Sequence, residues 1–251
     1  MRFGKLQKGN PHRLTIRQHT FPRASIARFA DGSGRVNVHR IKTNKSFLAA
    51  PESELFCAKR VWDQRAEDGS SRKIERPFQV LAQAIVDGTV SILGEHDKSI
   101  INAFFALCFV RAEWKSSHSP KTRIPGAIGL KYETSRDLQE ALEGRHVICF
   151  GPDFTIPSPS IAGIVMQSRM HQVEHELEDA MWGIMRAAKG EFVVADNFWY
   201  GRTLPISPLI CLVSAVDSGT LTEEHVAWLN REAISNSQEY YFAKNLSGCP
   251  I

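Results

Sequence analysis

The sequence predicts a single α+β domain in which the N- and C-terminal segments form a mostly antiparallel sheet and the middle of the chain is helical. Patterns typical of strands lie near both ends of the chain, and patterns typical of helices lie between them. The 251 residues suit one large domain, which we place at residues 15–245, between a basic N-terminal extension (1–14) and a C-terminal tail (246–251).

The first regular elements are a short apolar piece, a turn and a strand. Residues 24–30 have a short apolar periodicity, and residues 31–34, Asp-Gly-Ser-Gly, are a strong turn signal. Residues 35–41 then alternate polar and apolar side chains. This alternation predicts a half-buried strand that carries Arg35, Asn37 and His39 on one face.

Three helices are predicted in the middle of the chain, because apolar residues recur there at helical spacing. They cover residues 74–86, 98–114 and 133–143, and polar stretches at 64–73 and 115–129 predict loops. The most apolar run, residues 100–110, is shorter than the roughly 20 residues that a membrane-spanning helix needs. We therefore expect a buried helix and no membrane segment.

The C-terminal half contains strands on either side of a long helix. A short apolar run predicts a strand at 146–150, and residues 161–188 have the pattern of one helix. Apolar, β-branched runs at 191–195 and 209–214 predict central strands. Thr222 and the two glutamates after it predict the start of the last helix, because the hydroxyl can accept a hydrogen bond from a free backbone N–H.

The composition is that of a globular protein, with 43% hydrophobic and 23% charged residues. The five cysteines are scattered without metal-ligand spacing, and their odd number argues against a disulfide framework. A reducing compartment fits this pattern, so we expect a cytoplasmic protein. The sequence names no cofactor and leaves the oligomeric state open.

Charge is distributed unevenly along the chain. Residues 1–50 contain 11 Lys and Arg and one acid, a net charge of +10, whereas the other 201 residues carry 20 basic and 26 acidic side chains. Such a basic segment favours a polyanionic partner, and we expect nucleic acid, RNA rather than DNA. The candidate phosphate-binding side chains are Arg23, Arg28, Arg35 and Arg40.

His19 is the first candidate catalytic residue, because an imidazole transfers protons near neutral pH. Asp196 and Asn197 follow an apolar strand, whose rigid backbone can hold polar side chains at an open edge. Arg111 lies near the end of a buried helix, so it must pair with a carboxylate such as Glu75 or face a cleft. Each candidate has a structural alternative: a local cap for His19, a turn for Asp196, and an ion pair for Arg111.

Two further patterns remain open. Arg111 and His118, with six residues between them, loosely resemble the spacing of HEPN ribonucleases. His171 and His175 share one helical face in the order His-x-x-Glu-His, which is that of inverted-motif zinc peptidases. Such a peptidase needs a further glutamate ligand, and no downstream glutamate stands out. A solvated, charged helix face is the alternative.

Several of these residues form a known pattern. His19-Thr20-Phe21-Pro22-Arg23 is similar to the N-terminal His-x-x-Pro motif of the uncharacterised "HYVPQ" family, domain of unknown function 4238, which the chain resembles over about residues 15–245. Further similar pieces are Ala27-Arg28-Phe29, an acidic helix start at Glu75, a helix that ends in Arg111, Val194-Ala195-Asp196-Asn197 and Leu204-Pro205-Ile206-Ser207-Pro208. The chain departs from the pattern at Phe198, where the family usually has proline, and at Trp62, where it usually has tyrosine.

The resemblance implies that His19, Glu75, Arg111 and Asp196 are motif positions that the fold brings together. Some members of the family occur in bacterial mobile elements and anti-phage defence loci, which implies an effector or a toxin. A histidine, two carboxylates and an arginine can compose a phosphodiesterase site, and they can equally form a buried polar network.

We therefore predict a nuclease-type effector that cleaves RNA. His19 and Glu75 would transfer protons, Arg111 would bind the scissile phosphate, and Asp196 would orient His19 or hold a metal, with Asn197 among the substrate-binding residues. Two other functions remain open. One is a non-enzymatic module that binds nucleic acid or protein, and the other is a zinc peptidase that uses His171 and His175.

Overall fold

The structure, a computed structural model, describes residues 6–116, 122–123, 135–150, 155–198 and 201–251. Within these residues the chain forms an α+β fold with mostly antiparallel sheets, as the sequence predicts. The α-helices are α1 (Arg23–Ala27), α2 (Gln64–Ser70), α3 (Arg76–Val86), α4 (Glu95–Ser116), α5 (Arg136–Gly144), α6 (Ser158–Glu176) and α7 (Glu223–Asn236). The strands are β1 (Arg17–His19), β2 (Val36–Arg40), β3 (Lys45–Ala49), β4 (Cys57–Lys59), β5 (Thr122–Arg123), β6 (Thr155–Ile156), β7 (Trp182–Ala187), β8 (Val194–Ala195), β9 (Thr203–Ser207), β10 (Ile210–Ser214), β11 (Gly219–Leu221) and β12 (Tyr240–Ala243).

One antiparallel sheet joins the two ends of the chain, with the strand order β3-β2-β12-β8. β2 and β3 form an N-terminal hairpin, whereas β12 and β8 belong to the C-terminal segment. In β2, Val36 and Val38 are buried, and Asn37 and His39 lie on the opposite, more exposed face. The alternation confirms the strand predicted near residues 35–41.

A second four-stranded sheet comes from the C-terminal part alone, with the order β11-β7-β10-β9. Its pairs are antiparallel except for β7 with β11, which is parallel. β10 confirms the strand predicted at 209–214, whereas the run at 191–195 contributes only the two residues of β8. The short pairs β1–β4 and β5–β6 complete the strand pairing of the described residues.

The main core is centred on α4, which packs against α3 and α6. Its residues Ile101, Phe104, Cys108 and Val110 are fully buried. Phe104 stacks on Phe78 of α3. The helices predicted at 74–86, 98–114 and 133–143 are thus present as α3, α4 and α5, with shifted ends.

The long helix predicted at 161–188 is wrong in its second half. α6 ends at Glu176, and Trp182–Ala187 form β7, which pairs with β10 on one side and β11 on the other. These pairings and the burial of residues 182–185 outweigh the local helical pattern. Gly183 permits the close approach, because a Cβ there would clash with the backbone oxygen of Val216.

The loop predicted at 64–73 is also wrong. Residues 64–70 form α2, and Ser71–Glu75 continue it as a π-helical turn. Asp63 begins the helix, since its Oδ1 accepts a hydrogen bond of 3.0 Å from the backbone N–H of Ala66. The polar side chains of α2 suggested a loop, but two of them bind other parts of the protein. Gln64 accepts a hydrogen bond from the backbone N–H of Thr15, and Glu67 accepts one from the indole of Trp62.

The strand predicted at 146–150 is irregular in the structure. Val147 and Phe150 are about half exposed, at 48% and 47%, and no described strand pairs with this segment. The apolar run therefore has no described strand with which it could form a sheet. Most of the loop predicted at 115–129 lies outside the described residues.

Both end segments contact the domain. In the described part of the N-terminal extension, the backbone N–H of Gln7 donates to Glu140, and His12 lies 2.8 Å from Asp137. In the C-terminal tail, the backbone oxygen of Pro250 accepts a hydrogen bond from Asn230 of α7. These contacts hold the N-terminal extension against α5 and the C-terminal tail against α7.

Replacing Gly163 with alanine is expected to destabilise the protein by about 1–3 kcal/mol. A Cβ at this position of α6 would lie 2.5 Å from Oδ1 of Asp63, and that carboxylate is held by its cap bond to Ala66. The matched control is Gly69→Ala in α2, because a Cβ there has nothing within 4 Å. The control should stabilise the protein by up to about 1 kcal/mol through helix propensity.

Urea unfolding of the two variants and the wild type measures both effects. A Gly163→Ala variant as stable as the wild type would contradict the close packing of α6 on the start of α2.

Candidate functional site

A buried arginine, Arg111, lies at the centre of the predicted site. Its side chain is 1% exposed, and its Nη1 lies 2.8 Å from Oε1 of Glu75. A second carboxylate, Glu67, lies 3.7 Å from Nη2 and accepts a hydrogen bond of 2.6 Å from the indole of Trp62. The guanidinium also lies over the Trp62 ring, 5.5 Å from its centroid. We call Trp62, Glu67, Glu75 and Arg111 the arginine cluster.

Separate segments supply the residues of the arginine cluster. Arg111 belongs to the last third of α4, Glu67 to α2, and Glu75 to the end of the π-helical turn before α3. Trp62 immediately precedes Asp63, whose carboxylate begins α2. A π-helical turn is rare and frequently occurs at functional sites, and this one supplies a carboxylate to the buried guanidinium.

The arginine cluster combines one positive and two negative charges. Burial lowers the pKa of Arg111, but Glu75 and Glu67 raise it by more, so the pKa lies above its usual value. The guanidinium is therefore charged at every ordinary pH. Removing one partner from a buried pair of this kind costs about 3–5 kcal/mol, because the other charge is left uncompensated.

His19 lies at the end of β1, and the charges of Glu67, Glu75 and Arg111 act on its ring. Its Nε2 lies 3.1 Å from the backbone oxygen of Pro51, so in the neutral ring Nε2 carries the hydrogen and donates it. Nδ1 then carries the lone pair. Among the described residues, Nδ1 has no hydrogen-bond partner, and it is free to accept a proton.

Burial lowers the pKa of His19 below the ordinary value of 6.5. The bond to Pro51 and the charges of Glu67 and Glu75 raise the pKa, and the charge of Arg111 lowers it, but burial has the largest effect. Two conclusions follow. His19 shares one electrostatic neighbourhood with the arginine cluster, and its ring is neutral at pH 7.

The polar atoms of Asp196 and Asn197 bind backbone groups of the segment that leads into β12. Its carboxylate accepts hydrogen bonds of 2.9, 2.6 and 3.2 Å from the backbone N–H groups of residues 238–240. Asn197 donates to the backbone oxygen of Asn236 at 2.6 Å. In the described part of the chain no hydrogen bond joins Asp196 to His19. Both residues instead join the end of β8 to the segment between α7 and β12.

Two of the predicted phosphate-binding arginines are already bound to protein groups. Arg28 donates through Nη2 to the backbone and side-chain oxygens of Gln79, and burial lowers its pKa to about 10. Arg23 lies 2.5 Å from Glu52, with its side chain 63% exposed. Glu52 follows Pro51, so the Arg23 pair lies beside the loop that holds His19.

The other two predicted arginines, Arg35 and Arg40, are exposed at the two ends of β2. They belong to residues 35–48, which contain four basic residues and no acid. Every residue from 40 to 48 is exposed, including the apolar side chains of Phe47 and Leu48. We call residues 35–48 the basic hairpin. Its strand β3 is an edge strand of the first sheet.

The histidine pair of α6 differs from the arginine cluster in exposure. The side chains of His171 and His175 are 71% and 83% exposed. Each lies near a carboxylate three residues further on, Glu174 at 3.6 Å and Glu178 at 3.0 Å. Among the described residues, no three His, Cys, Asp or Glu side chains are placed to hold a metal. His118, the partner of the other open pattern, lies outside the described residues.

Sequence reasoning missed two members of the arginine cluster, Glu67 and Trp62. Glu67 lay in a segment predicted as a loop, and its contact with Arg111 spans 44 positions of the chain. A usable signal was present, because Asp63 is a typical helix N-cap and would have placed Glu67 on the first turn of a helix.

Comparisons of the chain with protein-family models, curated proteins and solved structures find no match. The likeness to the "HYVPQ" family therefore stays a prediction that depends on the motifs themselves. In the described residues, no helix has the length and apolar character needed to cross a membrane.

We expect the stability contribution of His19 to depend on pH in one direction. Its pKa is lower in the folded protein than the 6.5 of the unfolded chain, so the unfolded state binds more protons between these two values. Stability therefore falls as the pH drops through and below 6.5, and it is regained as the pH rises. A His19→Gln variant can keep the bond to Pro51 but lacks this titration.

Chemical denaturation between pH 7.5 and pH 5 tests this expectation. As the pH falls, the wild type should lose more stability than His19→Gln. A His96→Gln variant, which changes an exposed histidine of α4, should follow the wild type. Parallel curves for His19→Gln and the wild type would mean that burial does not lower the pKa of His19.

Proposed function

We propose that the protein is a nuclease-type effector that cleaves RNA, with His19 as its proton-transfer residue. One observation carries the proposal: Nε2 of His19 lies 3.1 Å from the backbone oxygen of Pro51, which leaves Nδ1 without a hydrogen-bond partner among the described residues. The charges of Glu67, Glu75 and Arg111, which come from separate segments, also act on the pKa of this ring. A partly buried imidazole that is affected by oriented charges is a common arrangement in enzymes that transfer protons.

The free Nδ1 of His19 is the proposed general base. In this proposal Nδ1 takes the proton from a 2′-hydroxyl group of RNA, and the 2′ oxygen attacks the adjacent phosphorus. The bond from phosphorus to the 5′ oxygen then breaks, and the 5′ oxygen takes a proton from solvent. The hydrogen bond from Nε2 to Pro51 supports this role, because it fixes the tautomer and the orientation of the ring.

The roles of the charged neighbours differ from those that the sequence suggests. Nη1 of Arg111 lies 2.8 Å from Glu75, and Nη2 lies 3.7 Å from Glu67, so we assign Arg111 to hold these two carboxylates rather than to bind the scissile phosphate. The two carboxylates stabilise the imidazolium that forms when His19 accepts the proton. Arg23 is the candidate for the phosphate, because its exposed pair with Glu52 is weak enough for an anion to compete.

An effector or toxin role follows from the family resemblance, and we propose it on that basis alone. A cytoplasmic location is supported by the cysteines, all five of which are free thiols.

A second candidate is a module that binds nucleic acid without cleaving it. The basic hairpin favours this function, because it combines four cations with exposed apolar side chains and has no acid. The first candidate needs the same surface to hold the RNA strand. The two candidates therefore differ in whether the bound RNA is cleaved, which requires His19 only under the first.

Replacing His19 with alanine should lower the rate of RNA cleavage by about 10²–10⁴-fold, the usual contribution of a general base. Gel analysis of labelled single-stranded RNA measures the cleavage. His96→Ala is the control, since His96 is exposed at the start of α4, about four helical turns before Arg111. If a folded His19→Ala variant cleaves RNA at the wild-type rate, His19 is not the general base. If the wild type itself does not cleave RNA, the result favours the binding module.

Replacing Arg40, Lys42 and Lys45 together with glutamine should weaken RNA binding under either candidate. In the wild type the three cations release counterions from the RNA phosphates on binding. Without them, the slope of log K against log salt should become shallower by about 2. Fluorescence anisotropy of a labelled RNA at several salt concentrations measures the slope. Arg231→Gln, an exposed arginine of α7, is the control. An unchanged slope in the triple variant would remove the basic hairpin from the RNA-binding surface.

A further inference from the structure

We propose that the cavity between α2, α4 and α6 binds a small organic anion that has an apolar or aromatic body. The cavity has a volume of about 540 Å³, within the range of small-molecule sites in proteins. Arg111 forms part of its floor, whereas His19 is not among its lining residues.

The floor of the cavity has unused hydrogen-bond donors. Nε and Nη2 of Arg111 are buried and have no hydrogen-bond partner among the described residues. Glu75 occupies Nη1 at 2.8 Å, and Glu67 remains 3.7 Å from Nη2, beyond hydrogen-bond distance. A buried N–H group without a partner costs free energy. A carboxylate or phosphate that enters the cavity and is seated on these donors would remove that cost.

The walls are apolar and spacious. Trp62, Ile74, Met166 and Met170 line the cavity with an aromatic ring and flexible aliphatic chains. Methionine side chains adapt to ligands of varied shape, and an indole offers a flat surface to an aromatic ring. Gly69 adds room, since a Cβ there would have no atom within 4 Å. These walls suit an apolar body rather than a bare inorganic ion.

The charges around the cavity favour an anion. Arg65 and Lys73 line it together with Arg111, whereas Glu174 is the one acidic side chain among its lining residues. Glu67 and Glu75, which lie 3.7 and 2.8 Å from Arg111, are not among the lining residues. An anion therefore meets three cations and one carboxylate. Lys73 lies in the π-helical turn, which gives that rare element a place in the proposed site.

This inference does not depend on the proposed nuclease activity, because it uses no property of His19. The ligand chemistry has two obvious sources, a nucleoside phosphate and an aliphatic carboxylate. Adenosine monophosphate and octanoate represent them as probes. Adenosine and octanol are the uncharged counterparts with the same bodies.

Isothermal titration calorimetry on the full chain tests the proposal. We expect one of the two anions to bind at least tenfold more tightly than its uncharged counterpart, and the anion that binds identifies the source. Arg65→Gln combined with Lys73→Gln should weaken this binding at least fivefold. Gly69→Phe should abolish it by filling the cavity. Arg72→Gln, which removes an exposed charge outside the cavity, should leave the affinity unchanged.

Three results would overturn the proposal: neither anion binds the wild type at millimolar concentration, the uncharged counterparts bind equally well, or Gly69→Phe retains full affinity. Circular dichroism of each variant establishes that it is folded. None of these variants alters Arg111 itself, whose loss could prevent folding. Loss of nuclease activity in His19→Ala leaves this test unaffected, so the two proposals fail or hold separately.

Discussion

Burial of the Arg111 charge is the constraint on which the helical half of the structure depends. A guanidinium that is 1% exposed needs opposite charge within reach, and Glu75 and Glu67 supply it from the π-helical turn and from α2. α4 cannot occupy the centre of the core unless both segments pack against it. Glu67 of α2, Glu75 of the π-helical turn and Trp62 all contact Arg111 or one of its partners, and these contacts meet the requirement.

The same charge links the two surfaces that we associate with function. The charges of Arg111 and its carboxylates act on the pKa of His19, and burial keeps the ring neutral. Arg111 also lines a cavity with apolar walls, and its Nε and Nη2 have no hydrogen-bond partner among the described residues. A buried polar network is therefore compatible with the proposed site. The network fixes the geometry, and the half-exposed groups at its margin are available for chemistry.

The residues predicted as one composite site divide according to their hydrogen bonds. Glu75 and Arg111 form a contact of 2.8 Å, and their charges act on the pKa of His19, although 92 positions of the chain separate His19 from Arg111. Asp196 and Asn197 use their polar atoms to hold β8 against the segment between α7 and β12. A carboxylate at the end of a strand looks the same in sequence whether it faces a cleft or caps a turn. The position of the neighbouring backbone N–H groups decides between the two.

The sequence by itself determined the α+β class, the strand β2, the helices α3 and α4, and the basic character of the hairpin, because these depend on local periodicity and on charge. Only the tertiary structure decided that residues 182–187 form a central strand, that α2 is a helix, and that Glu67 completes the surroundings of Arg111. The reason is physical. Strand pairing and the neutralisation of a buried charge depend on partners that lie far away along the chain, and no local pattern records them.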